Sequence, residues 1–212
     1  MKLYHWLMNL LFPPKCILCR RLLKKEETDL CGRCRVEVAD YHRGKSIPQF
    51  LDSFAAVWYY EGSVRESLLR FKFRGARSYA GGYGRLVAMK AADGEYDILT
   101  WIPVSPQRKL RRGYDQVELI ARAVGRELNV KPVATLRKVR HNRPQSRITE
   151  EAARRANVLG AYRVKDPGQI CGKRILLLDD IMTTGATMSE AARVLKTAGA
   201  KEVHCAAVAA RK

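Results

Sequence analysis

Four consecutive aliphatic residues, Ile175 to Leu178, run directly into the acidic pair Asp179-Asp180. A run without polar alternation predicts a strand buried on both faces of a parallel sheet. Beyond the next loop, Met188, Ala191, Ala192 and Leu195 recur at i, i+3, i+4 and i+7, the stripe of an amphipathic helix. Gly199 stands where a C-terminal cap glycine belongs. Val203 to Ala210 predicts the following strand, so the segment reads as strand, loop, helix, strand.

The same patterning continues upstream. Phe54 to Tyr60 predicts a first strand. Val64, Leu68, Leu69 and Phe71 predict a helix that ends near Lys72 to Gly75. Asp97 to Val104 predicts a core strand, closed by Pro103 and Pro106. Gln107 to Leu128 reads as a basic loop and then a helix with Val117, Ile120, Ala121 and Val124 inward. Pro132 to Val139 predicts a further strand, and His141 to Arg155 a polar, basic, mobile loop. These elements define an α/β fold with a parallel sheet flanked by helices.

Parallel sheets of this kind bind ligands at the carboxyl ends of their strands, where Asp179 and Asp180 are expected. The loop behind them holds Thr183, Thr184, Gly185, Ala186 and Thr187 and opens a helix. Free backbone N–H groups and the helix dipole favour a phosphate there. Two carboxylates beside a phosphate cradle repel phosphate, but they accept hydrogen bonds from neighbouring hydroxyls. The site therefore reads as a ribose-5-phosphate cradle.

Charge enlarges the set of ligands. The chain of 212 residues carries a formal net charge of +19. Residues 101–150 contribute twelve Lys/Arg against four Asp/Glu, whereas residues 51–100 contribute seven against six. Such a field attracts nucleic acid, an anionic membrane surface or phosphorylated small molecules. Arg108, Lys109, Arg111, Arg112, Arg140, Arg143 and Arg147 are the nucleic-acid candidates. Tyr114 and His141 stand beside them and offer rings to a base, although burial is the commoner fate of a tyrosine. Met1 to Phe12 is too short to span a bilayer and reads as an amphipathic helix packed on the body. No transmembrane segment is predicted, and the cytoplasm is the expected compartment.

Cys16-x-x-Cys19 and Cys31-x-x-Cys34 form two thiolate pairs whose spacing suits a tetrahedral S₄ zinc site. Two disulfides are the alternative, disfavoured in a reducing compartment. Zinc held by four protein ligands leaves no position for water and is structural. The expected organisation is an N-terminal helix and Cys₄ zinc finger over 1–45 and an α/β domain over 50–212. Cys205 falls in an apolar strand as a small core residue. The finger also carries Lys15, Arg20, Arg21, Lys24, Lys25, Arg33 and Arg35, a surface for either a nucleic-acid backbone or an acidic protein.

Ile175 to Thr187 resembles the 5-phosphoribosyl-1-pyrophosphate (PRPP) signature of type I phosphoribosyltransferases. Within that superfamily the chain is similar to the ComF/GntX-like competence proteins. The resemblance rests on Leu11 to Pro14 before the Cys₄ knuckle, on Ile102-Pro103-Val104, and on Arg108 to Gln116. It also rests on Gln145 to Tyr162 with Arg154, Asn157 and Gly160-Ala161-Tyr162. One position departs from the pattern: Asp115 stands where asparagine is usual. The resemblance implies that Asp179 and Asp180 hold the ribose hydroxyls, that Thr183 to Thr187 hold the 5-phosphate, and that magnesium accompanies PRPP. By position, Arg108, Arg111 and Arg112 are implied pyrophosphate contacts, with Arg143 in a closing loop; Arg108, Arg112 and Arg143 are the catalytic candidates. It further implies a role in natural transformation, contact with single-stranded DNA and a ComFA-like helicase as partner. An enzyme that transfers ribose-5-phosphate to a nitrogen acceptor is the alternative.

Overall fold

The computed structural model describes residues 13–42, 47–140 and 156–212. The expected N-terminal helix over Met1 to Phe12, together with His141, Arg143, Gln145, Arg147 and Arg154, lies outside the described residues. Four strands make the main sheet: β1 (Ser53–Tyr59), β2 (Ile98–Trp101), β5 (Arg174–Met182) and β6 (Glu202–Ala210). Their order is β1-β6-β5-β2 and every pair is parallel. Two short strands, β3 (Leu136–Lys138) and β4 (Tyr162–Val164), form a separate antiparallel ribbon.

Side chains alternate across each strand, so β5 feeds two cores. Leu176 and Leu178 point to one face with Val208 of β6. Three helices cover that face: α2 (Gly62–Phe73), α3 (Tyr79–Ala91) and α5 (Gln116–Glu127), through Phe71, Tyr83 and Ile120 among others. Ile175 and Leu177 point to the other face with Val203 and Cys205. There α6 (Ala186–Thr197) packs through Met188, Ala191, Ala192 and Leu195, the stripe expected from the sequence. Cys205 is 2% exposed, a core residue as expected.

Besides the unexpected β4 and the short helix Gly32–Glu37, three elements differ from the sequence expectation. The first, α3, has the sequence YAGGYGRLVAMKA, whose glycines mask its helical period. Gly84 explains part of this: a Cβ there would lie 2.2 Å from the Cβ of Ala123, so only glycine lets α3 approach α5. Second, the expected basic loop after Pro106 is a helix, α4 (Pro106–Arg112). Ser105 caps its start, Pro106 presets the first turn, and Gly113 ends it in the left-handed region at φ 75°. It buries no residue, so hydrophobic periodicity carried no signal. Third, β3 covers only Leu136–Lys138 of the span 132–139 and lies outside the main sheet. Pro132 forms an isolated bridge with Leu99.

The cysteine segment packs on the α2–α3 side of the sheet. Ile17, Leu18 and Leu30 join the core beside Leu68 and Tyr83. The Ser67 hydroxyl donates to the Ile17 carbonyl, and Arg70 donates to the Leu18 carbonyl. Arg85 forks onto Asp29 at 2.8 and 2.5 Å. A short helix, α1 (Gly32–Glu37), carries Cys34 inward.

Candidate functional site

The acidic pair lies near the carboxyl end of β5, within the strand. β5 stays paired with β6 as far as Met182↔Ala210. On its other edge β2 ends at Trp101, opposite Leu178, and the chain turns away at Pro103. Asp179 and Asp180 therefore begin where one neighbour has stopped, and a cleft opens along that uncovered edge. Its volume is about 420 Å³.

Strand alternation gives the two carboxylates different surroundings. Asp180, on the Leu178 side, is 4% exposed. It sits 2.9 Å from the Lys72 ammonium and accepts a hydrogen bond of 2.9 Å from the Gln116 amide. The other amide atom, Gln116 Oε1, is buried without a hydrogen-bond partner. Asp179 feels the field of the opposite wall, where Lys138 donates to the Tyr162 hydroxyl at 3.3 Å. Burial, reinforced by the charge of Asp180, pushes the Asp179 carboxyl up to about 8; Lys72 and the Asp180 N–H pull it partly back. Burial, then the charge of Arg108, pushes Lys138 down to about 8, against the pull of Asp179. Burial also raises the Tyr162 phenol.

The threonine loop follows. Gly185 adopts φ 74° as the cap of α6, where a Cβ would meet Pro48 at 2.7 Å. Thr184 accepts a long hydrogen bond of 3.4 Å from the Ala186 N–H. Thr183 and Thr187 line the cleft, whereas Thr184, Gly185 and Ala186 do not. A twelve-residue helix thus directs its N-terminus at the site, the arrangement that suits a phosphate.

Helix α4 supplies the cations. Arg108, Arg111 and Arg112 line the same cleft as the acidic pair. Burial, then the charges of Arg108 and Arg111, lowers the Arg112 guanidinium from its ordinary value, and its Nε is buried without a hydrogen-bond partner. Lys109 turns the other way and pairs with Glu118 at 3.2 Å. Arg140 is exposed and reaches the Leu159 carbonyl at 3.4 Å. Neither lines the cleft. Tyr114 is 7% exposed, with Arg77 over its ring and its hydroxyl donating to the Phe71 carbonyl, so burial won over base contact.

Several lining residues were not assigned to the site from the sequence: Lys72, Lys138 and Arg211, and Gln116 and Tyr162, which stood only within the motifs quoted for the resemblance. Lys72 carried the best available signal, a lysine at the last turn of a predicted helix. Asp115 now has a role as well. Its carboxylate caps α5 through the Val117 and Glu118 N–H groups and accepts from Val104, tying the β2 exit to the helix. Burial raises its carboxyl from the ordinary range.

The sulfur atoms of Cys16, Cys19, Cys31 and Cys34 all lie within 4.8 Å of one another. Cys19 and Cys31 are 3.5 Å apart. Tetrahedral zinc with bonds of about 2.3 Å separates its sulfurs by roughly 3.8 Å, so the cluster fits the ion. With four protein donors this is a structural zinc site.

Parallel strand order, the acidic strand and the threonine loop define a phosphoribosyltransferase-type fold with an N-terminal zinc ribbon. Residues 111–212 match the phosphoribosyl transferase domain family, and residues 7–44 the double zinc ribbon domain. The chain is 30% identical over 198 residues to competence protein ComFC of Bacillus subtilis, covering 87% of this chain and 78% of that protein. It is 23% identical over 216 residues to competence protein F of Haemophilus influenzae, covering 90% and 94%. It is 24% identical over 201 residues to DNA utilization protein YhgH of Escherichia coli K12, covering 89% and 87%. The chain belongs to the ComFC-type competence protein family of the phosphoribosyltransferase superfamily. No helix among the described residues is long and apolar enough to cross a membrane.

Proposed function

We propose that this chain is an accessory protein of DNA uptake and utilisation whose cleft binds PRPP, and whose basic surface contacts single-stranded DNA inside the cell. One observation carries the proposal: a single cleft joins a carboxylate pair, a threonine loop at a helix N-terminus and three arginines of α4. Each part suits one portion of PRPP. Asp179 and Asp180 accept from the ribose hydroxyls, Thr183 to Thr187 hold the 5-phosphate, and Arg108, Arg111 and Arg112 hold pyrophosphate. The hard carboxylate oxygens suit magnesium, which would neutralise pyrophosphate charge. The names of the relatives support the DNA context, and a ComFA-like helicase or ATPase is the proposed partner. Lys109 and Arg140, which lie outside the cleft, are proposed DNA contacts together with Arg143 and Arg147.

A second reading is favoured by the arginines beside the acidic pair. Donors fixed around pyrophosphate stabilise it as a leaving group, so transfer of ribose-5-phosphate to a nitrogen acceptor is the reaction this geometry serves best. Thermal denaturation tests the binding claim. PRPP with magnesium raises Tm in proportion to log ligand concentration, as selective binding to the folded state requires. An unchanged Tm at millimolar PRPP contradicts it.

A further inference from the structure

Phe73 is the last residue of α2, yet it does not join the core. Val64, Leu68 and Phe71 fill that face, whereas Phe73 stays 58% exposed. Burying a phenyl ring is worth about 2 kcal/mol, so an exposed one at the lip of a polar cleft calls for a cause. Its ring lies 4.9 Å from the guanidinium carbon of Arg112. Ring and guanidinium line the cleft together with Arg65, Lys72 and Arg111. The ring the sequence offered to a base, Tyr114, is buried and capped by Arg77. Phe73 is the accessible aromatic beside the α4 arginines.

We infer that Phe73, backed by Arg112, is the platform on which a base of single-stranded DNA stacks at the mouth of the cleft. The inference rests on the single-stranded DNA reading above and assigns its aromatic contact. Every base has a π-face, so such a ring binds without regard to sequence. The guanidinium on the ring adds a cation–π contact, and Arg65 and Arg111 receive the flanking phosphates. The geometry favours a strand over a free nucleotide, because cations lie on both the α2 and the α4 side of the ring.

The test is fluorescence anisotropy of a labelled single-stranded oligonucleotide with the zinc-loaded full chain, across a salt series. Phe73→Leu weakens binding about tenfold, as loss of one stacked base does. The slope of log affinity against log salt does not change, because no phosphate contact is lost. Arg111→Ala, the comparison, lowers that slope by about 0.7. Phe73→Trp retains affinity, and its added emission is quenched on DNA binding. Unchanged affinity in Phe73→Leu, or unquenched emission in Phe73→Trp, overturns the proposal. Quenching by deoxyadenosine monophosphate at the concentration that suffices for the oligonucleotide overturns the choice of a strand. PRPP calorimetry on wild type keeps the two readings separate: a chain that stacks DNA on Phe73 but takes no PRPP removes the ribose-phosphate reading and leaves this one standing.

Discussion

The Lys72 ammonium lies 2.9 Å from Asp180 Oδ1, with the two side chains only 17% and 6% exposed. The pair joins the end of α2 to the acidic strand and supplies the counter-charge that lets Asp180 stay in a buried wall. Removing one partner of such a pair leaves an uncompensated charge and costs about 3 kcal/mol. Lys72→Ala therefore lowers Tm by about 6–12 °C. Adding Asp180→Asn to that variant recovers part of the loss. Strict additivity of the two substitutions in thermal unfolding would show that the pair is not coupled.

Asp179 gives the protein a pH signature. Its folded-state carboxyl sits near 8, far above the ordinary carboxylate range, because of burial and then the charge of Asp180. A raised carboxyl means the folded state holds a proton that the unfolded state releases. Stability from this residue is therefore highest at acid pH and falls as pH rises from about 4 to about 8. Asp179→Asn has no such cost. The variant is expected to exceed wild type in Tm by several degrees at pH 8, with the gain shrinking toward pH 5. A constant difference across that range contradicts the assignment.

Asp115 separates two roles of one side chain. Its carboxylate accepts three backbone N–H groups, two at the start of α5 and one from Val104. Asp115→Ala removes the cap and costs about 1–2 kcal/mol, whereas Asp115→Asn keeps an acceptor oxygen and costs less. Urea denaturation of both variants checks the order. Equal losses would assign the effect to charge rather than to capping.

Gly84 is a packing glycine. A Cβ there meets the Cβ of Ala123 at 2.2 Å and backbone atoms at 3.0 Å, so α3 and α5 must separate. Gly84→Ala costs about 1–3 kcal/mol. Combining it with Ala123→Gly restores part of that stability, read again in denaturant. No rescue would mean that backbone contact, rather than the methyl group, sets the helix spacing.

The sequence made β5, α6 and β6 legible because β5 and β6 are near-continuous apolar runs and α6 carries a helical apolar stripe between Gly185 and Gly199. It also made the zinc ligands legible, because two C-x-x-C pairs force four sulfurs together. It did not reveal α3, whose Gly81, Gly82 and Gly84 remove the apolar stripe, nor α4, which buries nothing. The acidic pair was readable both as chemistry and as the carboxyl end of a buried strand; the extension of that strand to Met182 was not, since strand length depends on the partners β2 and β6 rather than on local pattern. Lys72, Lys138 and Tyr162 reach the cleft from three separate elements. No local signal links residues brought together only by tertiary packing.

The most direct test of the account is calorimetric titration of PRPP with magnesium into the zinc-loaded protein, beside Asp180→Asn and Thr183→Ala. The account predicts saturable binding at one site per chain, abolished by either substitution while both variants keep their zinc. No heat from the intact protein, or binding that survives both substitutions, would contradict the assignment of the cleft to PRPP.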